Sequence, residues 1–246
     1  MRKSTVGLYV GLLSTAFAGS MGNTTAVQTK NVVIGLSLGP AWYQVGLTQT
    51  VQLQPGLANS YVASHPTLTL FSGELFFGLQ HPLPSHLFGQ LGIAAALTDE
   101  ARLSGVVWET ADPQFNNFTY NYKIKHQRVT LKTALLKKIY TSWFPYLSAS
   151  VGVGFNYASR FSYTPLLFEA IPPPPFSSKH TTAFTYTLGA GVQKSLDAHW
   201  RLGLGYECAD WGPSSLGLVP SQTPNNQLKL GHLYTHELLF AVNYLL

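Results

Sequence analysis

Charge is scarce in this sequence. Lys and Arg number 15 and Asp and Glu 10 among 246 residues, a tenth of the chain. Soluble domains carry roughly 25%, so part of the surface is expected to face something other than water. Cysteine is scarcer still: Cys208 stands alone, which excludes a disulfide framework within the chain. No run of about 18 apolar residues occurs, which excludes helical membrane spans. Low charge combined with 46% hydrophobic residues excludes a disordered chain. The cations are scattered and the formal charge is only +5, which excludes an electrostatic footprint for nucleic acid. What is plentiful is aromatic residues, at 13%, and glycine, at 22 positions.

The first residues read as an export signal. Arg2 and Lys3 precede an apolar stretch from Val6 to Phe17, and Ala16-Phe17-Ala18 supplies the small-x-small pattern of a cleavage site. A signal peptide over 1–18 is therefore expected, followed by a short periplasmic segment over 19–31 and a barrel domain over 32–246. No cysteine follows the apolar stretch, so no lipid anchor is expected.

From residue 32 onward the chain alternates apolar and small or polar residues with period 2, the signature of half-buried strands. Ile34, Leu36 and Leu38 begin the series, and Phe71 to Leu79, Leu91 to Leu97 and Val129 to Leu135 continue it. Leu147 to Tyr157, Phe184 to Val192, Trp200 to Tyr206 and Leu238 to Leu246 complete eight segments. Connections alternate between short (80–86, 140–145, 195–199) and long (45–66, 110–119, 162–181, 212–230). An even number of strands with short turns at one end and long loops at the other predicts an all-β, eight-stranded antiparallel up-and-down transmembrane β-barrel. Short turns belong to the periplasm and long loops to the outside, so both termini are expected in the periplasm. Pro40 predicts an early end to pairing in the first strand. Pro172 to Pro175 predict a stiff extended spacer in the third long loop.

The apolar parity carries no charge in these segments except Lys137 and Lys194 at the short-turn ends, where long stems reach the interface. An Arg or Lys facing lipid near mid-bilayer costs about 2–4 kcal/mol, so the apolar parity is the lipid wall. Aromatic girdles are expected from Phe88, Trp143, Phe144, Trp200 and Tyr244 at one interface. Trp42, Trp108, Tyr157, Phe161, Phe184, Trp211 and Tyr234 are expected at the other. The opposite parity holds Glu74, Arg128, Lys132, Arg201, Glu207 and Glu237. Three acids and three bases inside a space that side chains just fill predict a salt-bridge plug, with a gated ion path as the alternative.

The segments Ser72-Gly-Glu-Leu-Phe-Phe-Gly-Leu-Gln80, Gly191-Val-Gln-Lys-Ser-Leu196 and Gly205-Tyr-Glu-Cys-Ala-Asp-Trp-Gly212 complete the pattern. With them the chain resembles the small eight-stranded outer-membrane β-barrel family. That group includes the transmembrane domain of outer-membrane protein A, the opacity-type adhesins and uncharacterised porin-like members. The ending Phe240-x-Val242-x-Tyr244-x-Leu246 is similar to the barrel-assembly signal of such proteins, departing from it in the last residue, which is usually aromatic. The resemblance implies a bacterial outer-membrane location and a structural, adhesive or lipid-binding role, without a catalytic set.

No enzymatic arrangement emerges from the residues. His232 and His236 share a strand face rather than a helical zinc site, Asp197 and His199 fall in a short turn, and Cys208 reads as a small apolar filler. No cofactor, metal or nucleic-acid partner is expected, and the chain is expected to be a monomer. A small porin-like channel and a lipid A-modifying enzyme are the alternative functions. Arg102, Lys123, Lys125, Arg160, Lys179 and Lys229 near the long loops are expected to meet lipopolysaccharide phosphates or solvent, and the loops a surface ligand.

Overall fold

The computed structural model describes residues 31–44, 46–54, 56–64, 67–140, 142–168, 170–218 and 227–246. The expected signal peptide and all but the last residue of the segment that follows it lie outside the described residues. Among the described residues there are eleven strands: β1 (Asn31–Gln44), β2 (Gln49–Gln54), β3 (Leu57–Ala63), β4 (Thr67–Leu83), β5 (Leu87–Thr98) and β6 (Ala101–Trp108), then β7 (Asn116–Lys137), β8 (Trp143–Pro165), β9 (Lys179–Ser195), β10 (Trp200–Ser215) and β11 (Lys229–Leu245). Eight of them, β1, β4, β5, β7, β8, β9, β10 and β11, close into an antiparallel ring, with β7 pairing β8 and β11 pairing β1. The chain is an all-β, eight-stranded transmembrane barrel.

Of the three further strands, β2 and β3 occupy the stretch 45–66 that the sequence reads as a loop, β6 falls between the third expected segment and the loop 110–119, and all three prolong the first strands of the ring. The β1–β4 ladder ends at Gln44↔Thr67, and the β2–β3 ladder resumes at Gln49↔Tyr61. Likewise β4–β5 ends at Ser72↔Thr98, and β3–β6 resumes at Ala63↔Gly105. The described residues of the stretch 45–66 thus largely form the tip of a long hairpin, with Gly56 at φ 82. Where β2 runs out of a strand partner, its side chains substitute. The Gln49 amide donates to the Gln227 carbonyl and its oxygen accepts from the Lys229 N–H.

Pro40 does not end β1. The strand keeps its full pairing with β4 through Pro40↔Phe71 and loses only two pairs on the β11 side, between Leu38↔Phe240 and Ala41↔Glu237. One missing donor interrupts one edge of the ladder, and the register on both sides of the gap is unchanged. At the short-turn end, Asp197 accepts from the His199 and Trp200 N–H groups at 2.7 and 2.8 Å, closing that turn locally.

A swap of inside and outside polarity organises the barrel. Near the short turns the outer wall is apolar and exposed: Leu36, Phe77, Ile93, Leu131, Leu147, Leu188, Leu204 and Phe240. The interior there is polar, with Thr130, Ser150, Thr187, Arg201 and Asn243 buried. Toward the long hairpins the same strands reverse. On β7, Phe118, Tyr120, Tyr122 and Ile124 are buried inside, while Asn121 and Lys125 are exposed outside. Length explains the reversal: the 22 residues of β7 span about 70 Å of extended chain. The apolar band of such barrels is only about 25 Å tall. The remainder is a water-facing barrel with an apolar core, in which Tyr61 packs edge-on against Phe176 and Tyr120 at 5.4 and 5.7 Å. Its hydroxyl meets that of Tyr163 at 2.7 Å. Burial pushes the Tyr61 phenol up to about 12, with the Tyr163 hydrogen bond acting in the opposite direction.

This core claims two residues expected at the outer girdle. Phe161 and Trp211 are buried inside, and Phe144 is buried at the other end, because each sits on the inward parity. Trp42, Tyr157, Phe184 and Tyr234 are exposed on the outer wall at the long-hairpin end of the apolar band, and Trp143 and Trp200 at the other.

Leu204→Arg is expected to lower folding into lipid vesicles by about 2–4 kcal/mol, read from urea titration of the folded fraction. Lys123→Leu, on an outward position beyond the band, is expected to change it by less than about 0.5 kcal/mol. Equal sensitivity at the two positions would mean that the boundary of the apolar band is misplaced.

Candidate functional site

The interior holds one concentrated cluster of charge. Glu74, Ala96 and Arg128 lie in one row across β4, β5 and β7, while Glu207 pairs opposite Glu237 across β10 and β11. An Arg128 Nη donates to Glu207 Oε1 at 2.9 Å and lies 3.5 Å from Glu74 Oε2, an ion pair without hydrogen-bond alignment. Its other Nη is 3.9 Å from Glu237. Lys132 reaches up from the next inward row but one and donates to Glu74 at 2.5 Å and Glu207 at 2.7 Å. Glu237 is completed by the hydroxyls of Thr235 at 2.6 Å and Ser72 at 2.9 Å. Each carboxylate therefore has a cation or two hydroxyl donors, which is what burying charge requires.

Arg201 is not part of this cluster. It pairs opposite Asn243, six residues from the Glu207↔Glu237 pair, or about 20 Å along the strand, beyond an arginine's reach. Its guanidinium donates to Gln80 at 2.8 Å and lies 4.3 Å over the Phe144 ring. Five of the six inward charges singled out in the sequence meet, and the sixth closes the short-turn end instead.

The cluster is bounded above and below. Above it, the Trp211 ring covers Arg128 at 4.1 Å, and the indole N–H donates to Thr235 at 2.9 Å. Asn156 fixes this cover by donating to the carbonyls of Trp211 and Pro213 and meeting His126 at 2.7 Å. Below it lies a cavity of about 60 Å³ lined by Glu74, Lys132, Gln90, Tyr146, Gln193 and Asn243, room for a few water molecules. Gly205 admits the Tyr146 hydroxyl there, since a Cβ would collide with it. Beneath the cavity, Val33, Leu136, Phe144 and Leu245 are buried and form an apolar floor.

The outer wall carries two arrangements, of which the first was not read from the sequence as a site and the second gathers four of the six cations expected to meet lipopolysaccharide phosphates or solvent. Cys208, expected as a passive filler, lies opposite His236 across β10 and β11. Its sulfur is 3.5 Å from His236 Nδ1, and the Tyr206 hydroxyl meets the same nitrogen at 2.6 Å. Only the strand register brings these residues together. His232 is engaged separately, at 2.9 Å from the Asp210 carboxylate. Among the described residues no group of His, Cys, Asp and Glu is arranged to hold a metal.

The second arrangement gathers cations. Arg102 pairs directly opposite Lys123, and Lys123 opposite Ser159, next to Arg160. Lys123 donates to Glu100 at 2.7 Å. That ammonium holds the Glu100 carboxyl below the usual carboxylate range, with Arg160 and Arg102 acting in the same direction. Lys125 is exposed two residues along, opposite Tyr157. Lys179 instead donates to Gln227 at 3.0 Å, and Lys229 projects from the start of β11.

No protein-family model matches the chain, and no match was found among curated protein sequences. Among solved structures, the chain is similar to the outer-membrane protein OprG from Pseudomonas aeruginosa at 15% identity, covering 87% of this chain and 96% of that one with a TM-score of 0.45. It is similar to Neisserial surface protein A at 11% identity, with 86% and 96% covered and a TM-score of 0.43. Similarity to the outer-membrane protease OmpT from Escherichia coli is 11% in identity, with 88% and 97% covered and a TM-score of 0.42.

Proposed function

We propose that this chain is a bacterial outer-membrane barrel with a sealed interior that serves a structural and adhesive role, presenting its long hairpins at the cell surface. The observation that carries this reading is the interior itself. An apolar floor, an ion-paired cluster of three acids and two bases, and an aromatic core lie in series along the lumen of the ring. Eight strands enclose a space that side chains can fill, and here three layers occupy it around one small polar cavity. The reading as a salt-bridge plug follows, with Glu74, Arg128, Lys132, Glu207 and Glu237 as its members and Arg201 as part of the floor. The polar cavity between floor and cluster favours the second reading, a porin-like channel opened by displacement of the cluster.

The adhesive element is supported by the tip beyond β8. Leu166, Leu167, Phe168 and Ile171 are exposed to solvent there, next to the rigid run Pro172 to Pro175. A cluster of exposed apolar side chains on a stiff support is the usual mark of a contact surface. No catalysis, cofactor or metal enters this reading, and the barrel acts as a monomer.

Lys132→Ala leaves Glu74 and Glu207 with one cation between them. Breaking a buried pair costs about 3–5 kcal/mol, so the heat-modifiable gel shift of the detergent-folded barrel is expected to disappear at lower temperature. Adding Glu74→Ala is expected to restore part of that loss. In planar bilayers the wild type should be nearly silent, whereas steady conductance with Lys132→Ala unchanged would favour the channel.

A paired replacement, Phe168→Ser with Ile171→Ser, should lower attachment of expressing cells to abiotic or host-cell surfaces severalfold without altering the gel shift. Unchanged attachment would remove the adhesive role while leaving the sealed barrel intact.

A further inference from the structure

We propose that Arg102, Lys123, Lys125 and Arg160 form a binding site for the phosphate of an acylated glycolipid in the membrane leaflet that surrounds the long-hairpin end of the barrel. The first support is position. On three adjacent strands the outer wall turns from apolar to cationic at one level. The sequence runs Val129, Gln127, Lys125, Lys123 on β7, then Phe155, Tyr157, Arg160 on β8, and Leu97 to Arg102 across the β5–β6 break. Tyr157, stacked on His180 at 4.2 Å, marks the interface where rings sit at headgroup depth. The cations therefore stand where the phosphates of lipids stand, with an acyl-chain wall of Leu97, Val129 and Phe155 beneath them.

The second support is electrostatic. Arg102 and Lys123 face each other across the ladder, an arrangement that like charges disfavour. Glu100 offsets part of the repulsion through its hydrogen bond to Lys123. The neighbouring acid, Asp99, is turned to the Phe71 N–H at 3.0 Å. Four cations with one facing carboxylate leave three positive charges in excess, and a phosphate dianion would offset two of them. Arginine forks pair with phosphate oxygens in two parallel hydrogen bonds.

The third support is backbone geometry. Arg160 adopts φ 57 at the irregularity in the β7–β8 ladder, between Asn121 and Lys123. A non-glycine residue in this region is uncommon and strained. The bulge puts two neighbouring residues out of strict alternation: Ser159 is buried and Arg160 exposed beside Lys123. Without the extra residue, the parity would not deliver an arginine to this face.

The proposal rests on the membrane reading of the fold, while the identity of the leaflet rests on the external orientation of the hairpins. The test uses the full detergent-folded barrel titrated with bisphosphorylated lipid A, the same lipid enzymatically dephosphorylated, inorganic phosphate, and mixed micelles containing phosphatidylglycerol. Binding is read by native mass spectrometry and by the gel-shift temperature. Each neutralised cation should weaken binding of bisphosphorylated lipid A about fivefold, the equivalent of about 1 kcal/mol. R102Q/K123Q/R160Q together should then weaken it on the order of 100-fold. K179Q and K229Q, outside the cluster, should leave it unchanged.

Equal binding of phosphorylated and dephosphorylated lipid, or equal binding by the triple variant, would overturn the site. Competition by inorganic phosphate at the same concentration as lipid A would overturn the lipid as its ligand. Phosphatidylglycerol binding as tightly as lipid A would overturn the glycolipid assignment. Orientation is read separately by protease cleavage at a tag placed at 172–175 in intact cells, so failure of the surface reading is distinguishable from failure of the site.

Discussion

Within hydrocarbon there is no water to accept a stray backbone hydrogen bond, and closure of the strand ring is the constraint on which everything else here depends. Each of the eight ring strands has a partner on both edges, and even Pro40 removes only a local piece of one ladder. Closing so few strands fixes a narrow lumen, and the narrow lumen determines what can occupy it. Long charged side chains fit only where their neighbours are small. This is why Arg128 and Lys132 stand among Ala94, Ala96, Gly152 and Gly154 on the flanking strands. Once inside, charge must be neutralised locally, so the acids arrive from β4, β10 and β11 to meet the bases of β7.

The membrane-spanning half was legible in the sequence because one period-2 pattern, apolar outward, holds over all eight segments. The distal half was not, because the pattern inverts. On β7, Leu135, Leu131 and Val129 are apolar on odd positions, whereas Ile124, Tyr122, Tyr120 and Phe118 are apolar on even ones. Read as a single strand the two phases interfere, and residues 116–119 read as the end of the loop 110–119. The same interference hid β2, β3 and β6, whose inward residues Val51, Tyr61, Leu103 and Val107 acquire meaning only once water replaces lipid outside.

The six inward charges were identified by parity, which gives the face of a strand and not the register between two. Arg201 was therefore grouped with a cluster that lies six residues away along β10. The same limit concealed Cys208 and His236. They are 28 residues apart in sequence, and only the β10–β11 pairing makes them neighbours. Arg160 was visible as a cation, but the bulge that turns it to the outer face leaves no local mark in the residues around it.

The inversion along β7 also fixes the height at which the molecule floats. A barrel with a uniform apolar exterior could slide along the bilayer normal, matched at any depth the lipid thickness allowed. Here, sinking would carry Lys125 and Lys123 into acyl chains, while rising would lift Leu131 and Val129 into water. Both displacements are opposed, so the protein is held like a piston between two stops. The distal tip must then project a constant distance above the leaflet, whatever pull a ligand applies to it.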